Sequence, residues 1–258
     1  MPVKLLLSML FFLSHFAIQA QTFSEYEVEE FDFKGHEAKV VSPKTEMNGQ
    51  WIWRARFWGH EPQLDKALLD KGFHLVYVDV AGLFGNEEAV QLWNDFYRFI
   101  RKKYKLKKKV VLEGMSRGGL IVYNWAARNR KRVACIYADA PVCDIKSWPG
   151  GLYEGPGSQA EWEKCLQAYG LDENTVKDFR GNPIDNYSPI VKAKIPLIHV
   201  CGLADKVVPY EENTALLAKR IRAAGGNIVL ILKEGVGHHP HSLKDPQQLL
   251  DFILDQLK

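Results

Sequence analysis

Gly114-Met115-Ser116-Arg117-Gly118, followed by Gly119, sets one hydroxyl among glycines. A serine hydroxyl is a poor nucleophile until a neighbouring base takes its proton. The richest source of bases is Gly237-His238-His239-Pro240-His241. His238 is the preferred base, because Gly237 gives the loop freedom to aim it. His239 is the runner-up, and His239 and His241 otherwise pack or hydrogen-bond within the loop. No carboxylate or cysteine lies close enough in sequence to complete a metal ligand set there, so no metal is expected. An imidazole base needs an acid to orient it and support its charge. Asp205, in Gly202-Leu203-Ala204-Asp205-Lys206-Val207-Val208-Pro209, is the candidate. Asp139 is its rival, and Asp79, one strand further away, reads as structural. Hydroxyl, imidazole and carboxylate together are a set for acyl transfer.

These residues act together only if the chain brings them to one place. Lys109–Glu113 is an apolar strand running into Ser116, and 116–129 reads as a helix running out of it. That strand–turn–helix setting presents a nucleophile. Glycines 114 and 118 leave room for a serine in an unusual backbone conformation. The helix N-terminus favours negative charge, and the Arg117 N–H points to where an oxyanion develops. Asp205 follows the strand Ile195–Cys201, and the histidines follow the strand Ile228–Leu232. All three candidates therefore sit just after strands.

The remaining chain supplies the matching frame. Tyr26–Phe33 alternates like a half-buried strand, and His36–Val41 is its hairpin partner. Gln50–Phe57, Phe73–Val80 and Val133–Ala138 are further strands. Helices are expected over Pro62–Lys71, Glu87–Tyr104, Glu211–Ala224 and Pro246–Leu257. Nearly continuous apolar strands separated by helices mean a mostly parallel sheet covered on both faces. The class is α/β: a mixed sheet of about eight strands whose ligands bind at the strands' C-terminal ends. Residues 143–190, rich in Gly, Pro and Trp with no sustained period, read as a small cap insertion over those ends.

With 258 residues, 47% hydrophobic and 25% charged, the chain suits one soluble domain. Lys4, the apolar run from Leu5 to Ile18 and the small Ala20 before Gln21 read as a signal peptide over residues 1–20. The mature domain is then 21–258, secreted or periplasmic, with no membrane attachment after cleavage. An uncleaved anchor is the alternative. Removing Lys4 lowers the formal charge from +3 to +2, which gives no case for a nucleic-acid partner. The basic run Arg101–Lys109 precedes its strand, at the edge opposite the site, and reads as a solvated helix end. Of four cysteines, Cys135 and Cys201 fall in strands as buried thiols, while Cys143 and Cys165 are the disulfide candidates.

The motifs GMSRGG at 114–119, GLADKVVP at 202–209 and GVGHHPHS at 235–242 resemble the α/β-hydrolase superfamily. The resemblance is closest to secreted bacterial esterases and the prolyl-oligopeptidase-like serine hydrolases, and it covers residues 24–258. The order Ser116, Asp205, His238 is that superfamily's chain order. It implies the α/β-hydrolase fold and an acyl-enzyme mechanism without a cofactor. The usual His-Gly of the oxyanion loop is replaced by Trp53-Arg54-Ala55-Arg56-Phe57-Trp58-Gly59, so the second oxyanion donor is a backbone N–H near Ala55 or Arg56. No large accessory domain accompanies the catalytic unit, which argues against a peptidase. Arg54, Arg56 and Arg117 could fork onto a carboxylate. Trp53, Trp58, Trp148 and Trp162 could stack on sugars. The expected substrate is thus an acetyl, methyl or aromatic ester of a plant-type glycan, acidic if the arginines are used. The competing reading pairs the arginines with Glu113, Asp139 or Asp144 and buries the tryptophans. A small serine peptidase and a catalytically silent glycan-binding protein are the alternative functions.

Overall fold

A computed structural model describes residues 22–258. The proposed signal segment lies outside the described residues. The strands are β1 (Glu27–Phe33), β2 (His36–Ser42), β3 (Trp51–Arg54), β4 (His74–Val78), β5 (Val110–Met115), β6 (Val133–Asp139), β7 (Leu197–Gly202) and β8 (Val229–Lys233). The helices are α1 (Gln63–Leu69), α2 (Glu87–Lys103), α3 (Gly118–Arg128), α4 (Gln159–Tyr169), α5 (Ser188–Lys192), α6 (Leu216–Ala223) and α7 (Gln247–Asp255).

Eight strands form one sheet in the order β1-β2-β4-β3-β5-β6-β7-β8. β2 runs antiparallel to both neighbours, and every other pairing is parallel. This is the α/β-hydrolase fold. The two-residue period of the strands divides their apolar side chains between two cores. Trp51, Trp53, Val76, Val78, Val110 and Leu112 face one core, which α2, α3 and α6 cover with Trp93, Phe96, Ile121, Trp125, Leu217 and Ile221. Ile52, Leu75 and Val111 face the other, covered by Leu64 and Leu68 of α1 and Leu249 and Ile253 of α7. Trp53 stacks on Trp93 at 3.9 Å and meets Trp125 edge-on at 5.4 Å. This aromatic block anchors β3 to α2 and α3.

The chain leaves β3 for β4 on one side and returns to β5 on the other. Connections diverging in this way open a crevice at the strands' C-terminal ends. The segment after β3 and the turn after β5 both border it. The 143–190 segment is irregular but holds α4 and the start of α5. It seats a third core on the site: Trp162, Cys165 and Val176 pack with Phe84, Leu120, Val142 and Val208.

Local strain shortens two expected elements. β3 ends at Arg54 rather than reaching Phe57, whose φ is +54°. α3 starts at Gly118 rather than at Ser116, whose φ is +48°. All four cysteines are buried free thiols, so Cys143 and Cys165 do not pair. Cys143 belongs to the core under α3, and Cys165 points into the cap's own core. Among the described residues no helix is long and apolar enough to cross a membrane.

Candidate active site

β5 delivers Ser116 at the head of α3. The Ser116 N–H donates to the Asp139 carbonyl at 2.8 Å, and its own carbonyl accepts from Gly119 and Val142 N–H, both at 2.9 Å. These bonds hold the left-handed turn. A methyl on Gly114 would lie 2.8 Å from Val122 Cγ2. On Gly119 it would lie 2.6 Å from Pro141 Cβ, whereas on Gly118 it would lie 3.3 Å from Ala55 Cβ, tight but within reach of a small shift. Gly114 and Gly119, more than Gly118, are therefore the sterically demanded glycines.

The His238 loop crosses the end of β7. His238 Nε2 lies 3.0 Å from Ser116 Oγ, and its Nδ1 lies 2.7 Å from Asp205 Oδ2. A carboxylate at Nδ1 keeps the ring proton there, so Nε2 accepts from the hydroxyl. Asp205 Oδ1 accepts from the N–H groups of Val207 and Val208 at 2.8 and 2.9 Å. Those bonds fix the acid on its own turn. The side chains of His238 and Asp205 are only 8% and 1% exposed, so they act on each other with little screening by water.

Asp139 is occupied elsewhere. Its carboxylate accepts from His241 Nδ1 at 2.6 Å and from the Ser242 N–H at 2.7 Å. It braces the far end of the histidine loop and makes no hydrogen bond to His238. His239 is exposed on the rim.

The prolyl oligopeptidase family pattern matches residues 65–258. The chain belongs to that family. It is a serine hydrolase. Acylaminoacyl peptidase of Pyrococcus horikoshii is similar in structure, with TM-score 0.66 and 14% identity over 90% of this chain and 42% of that one. A puromycin-hydrolyzing peptidase of Mycobacterium tuberculosis gives 0.66 and 12% over 88% and 37%. Est1E of Butyrivibrio proteoclasticus gives 0.61 and 18% over 89% and 98%. At these identities the likeness is one of fold, and the chain spans less than half of the two peptidases. No curated protein matches the chain in sequence.

The arginines of this hydrolase have distinct places. Arg54 is fully buried, with Nη1 paired to Asp65 and to Glu113 at 3.2 Å. Its Nε and Nη2 donate to the carbonyls of Arg56, Phe57 and His60. No fork is left for a substrate, which corrects the expected binding role. Burial opposes its charge, but Asp65 and Glu113 more than reverse this and raise its pKa. Burial drives Glu113 well above the usual carboxylate range, against the pull of Arg54. Ala55 is corrected too: its N–H donates to the Glu113 carbonyl at 2.9 Å, continuing the β3–β5 ladder. The N–H groups of Arg56 and Arg117 have no acceptor among the described residues. A methyl on Gly118 would lie 3.8 Å from Arg56 N, so the two free donors flank the same helix start.

Arg117 reaches up to the cap. Its guanidinium pairs with Glu161 of α4 and lies 4.5 Å from the Phe84 ring and 5.0 Å from the Trp148 ring. Burial and the charge of Arg56, offset in part by Glu161, lower its pKa to about 10, so it stays cationic near neutrality. Arg56 lies over Phe57 at 4.6 Å, has no ion pair among the described residues, and leaves its buried Nε without a partner. Trp53, Trp58 and Trp162 are buried in the cores, so of the four tryptophans only Trp148 remains partly open beside the site.

Sequence reasoning missed three features. Glu161 lies 44 residues from its partner, and nothing local marks it. The Asp139–His241 brace spans 102 residues. Gly202 lets the histidine loop pass close above it: a methyl there would lie 2.3 Å from the Val236 carbonyl oxygen and 2.4 Å from that of Gly237. Its place in Gly202-Leu203-Ala204-Asp205 was visible, but not the backbone it faces. Gly237, by contrast, has an open Cβ position, with nothing nearer than 3.8 Å.

Proposed function

We propose that this hydrolase cleaves carboxylic esters through an acyl-enzyme on Ser116. The observation that carries the reading is the continuous hydrogen-bond chain from Ser116 Oγ through His238 to Asp205. Ser116 Oγ attacks the ester carbonyl as its proton passes to His238 Nε2. Asp205 supports the imidazolium that forms. The N–H groups of Arg117 and Arg56 receive the oxyanion, each contributing about 3 kcal/mol. His238 then protonates the leaving alcohol. Water enters, gives its proton to the same nitrogen, and releases the acid.

For the substrate, Arg56 is the feature to explain. A guanidinium beside the oxyanion donors, without a carboxylate of its own, suits an anionic group on the substrate. We read the substrate as an acetyl, methyl or aromatic ester of a uronate-bearing glycan, with Trp148 the one of the four tryptophans left open to a sugar. Three of the four tryptophans no longer support stacking. Export to the periplasm or medium rests on the apolar run from Leu5 to Ile18.

Peptide hydrolysis is the second reading, favoured by the family match. Matched aryl ester and peptide amide substrates separate the two. The account expects ester turnover that Ser116→Ala abolishes, and slower hydrolysis by Arg56→Ala on uronate esters but not on neutral acetates. Faster turnover of the amide would overturn the ester assignment. An equal effect of Arg56→Ala on both ester classes would overturn the anionic substrate.

A further inference from the structure

Acyl transfer uses one imidazole, yet three meet at the mouth of the site. One ring nitrogen from each of His238, His239 and His241 lies within 4.8 Å of the others. Their ring centroids are 4.8 to 5.0 Å apart, edge to face. Two of the three rings have the support typical of metal-binding histidines, a carboxylate on the second ring nitrogen. Asp205 holds Nδ1 of His238 at 2.7 Å and Asp139 holds Nδ1 of His241 at 2.6 Å. With a carboxylate at Nδ1, each ring keeps its lone pair on Nε2. On His241 that nitrogen is buried and has no hydrogen-bond partner. Nothing in the ester chemistry calls for a second carboxylate-braced imidazole ending in an unused lone pair.

We propose that His238, His239 and His241 bind one zinc-like divalent cation, and that its binding switches the hydrolase off. The cation takes the Nε2 lone pair of His238. Ser116 then keeps its proton and has no base. Imidazole nitrogens select borderline transition metals over magnesium or calcium. Three of them around zinc leave a fourth position for water. Nitrogens bound to zinc at about 2.1 Å stand roughly 3.4 Å apart. The cluster must therefore contract by more than 1 Å from its widest spacing, and the exposed His239, with no carboxylate on its ring, is the least held of the three. Asp139 and Asp205 bring two negative charges behind the ligands to balance the cation.

The inhibition rests on His238 being the base, but the binding does not, and the experiment keeps them apart. Chelator-stripped protein is titrated with zinc against a chromophoric chelator, and in parallel during hydrolysis of an aryl acetate. The expected results are one zinc per chain, a loss of rate of about a thousandfold or more at saturation, and full recovery with EDTA. Magnesium should have no effect. His239→Ala should turn over normally without metal and need about tenfold or more zinc for the same inhibition. Ser116→Ala, inactive, should still bind one zinc. Absence of stoichiometric binding in both wild type and Ser116→Ala, or unchanged zinc sensitivity in His239→Ala, overturns the site. An active Ser116→Ala that still binds one zinc would overturn the nucleophile instead and leave the metal site standing.

Discussion

Gly202→Ala places a methyl under the catalytic histidine without touching any reacting group. The added carbon would lie 2.3 and 2.4 Å from two carbonyl oxygens of the loop that carries His238. Ordinary contact begins near 3.4 Å, so the 236–237 backbone must rise by about 1 Å. The same backbone is tied to the acid's turn, because Ala204 N–H donates to the Val236 carbonyl at 2.9 Å. The shift would stretch both the 3.0 Å contact to Ser116 and the 2.7 Å contact to Asp205. Misplacement on this scale costs about 100-fold in rate. Overpacking costs stability by about 1–3 kcal/mol as well. The assay is kcat/KM on an aryl acetate beside urea unfolding, with Gly237→Ala as control. That control has an open Cβ position and should stay within about 0.5 kcal/mol of wild type. A folded Gly202→Ala enzyme with wild-type kcat/KM would refute the reasoning.

Arg54→Met should destabilise the fold by about 3–5 kcal/mol, since Asp65 would be left buried without its cation and Glu113 without its hydrogen-bond donor; a loss under about 1 kcal/mol in urea unfolding would contradict the ion-pair account. His199 is fully buried between Tyr123 and Thr214, and burial lowers its pKa to about 3. The unfolded chain takes up this proton near pH 6.5 and the folded chain does not, so His199 adds stability above that pH and loses it as the pH falls towards about 3, by roughly 5 kcal/mol in all. His199→Gln should therefore lose about 2 kcal/mol less than wild type between about pH 7 and pH 5, and equal losses would count against it.

What the sequence disclosed and what it hid divide along a physical line. The nucleophile turn was legible because a strand, glycines and a helix meet within a few residues, each with its own steric or periodic demand. Asp205 and His238 were legible because apolar strands end just before them. Ala55 and Arg56 were not separable, because which N–H remains free depends on how far the β3–β5 ladder continues. Arg54 read either as a substrate fork or as a partner of Glu113, and only packing, which also brings Asp65 to it, decides for the ion pair. Trp53, Trp58 and Trp162 carried no local mark of the rings and aliphatic chains that bury them. Glu161 and the Asp139–His241 brace are pairings between distant segments, and such pairings leave no trace in local spacing.

The central claim is that Ser116 is activated by His238. A fluorophosphonate that labels activated serines, read by intact mass and peptide mapping, tests it most directly. The account predicts a single adduct on Ser116, formed quickly in the wild-type protein and slowed by several orders of magnitude in His238→Ala. Labelling of another residue, or an equal rate in the His238 variant, would contradict it.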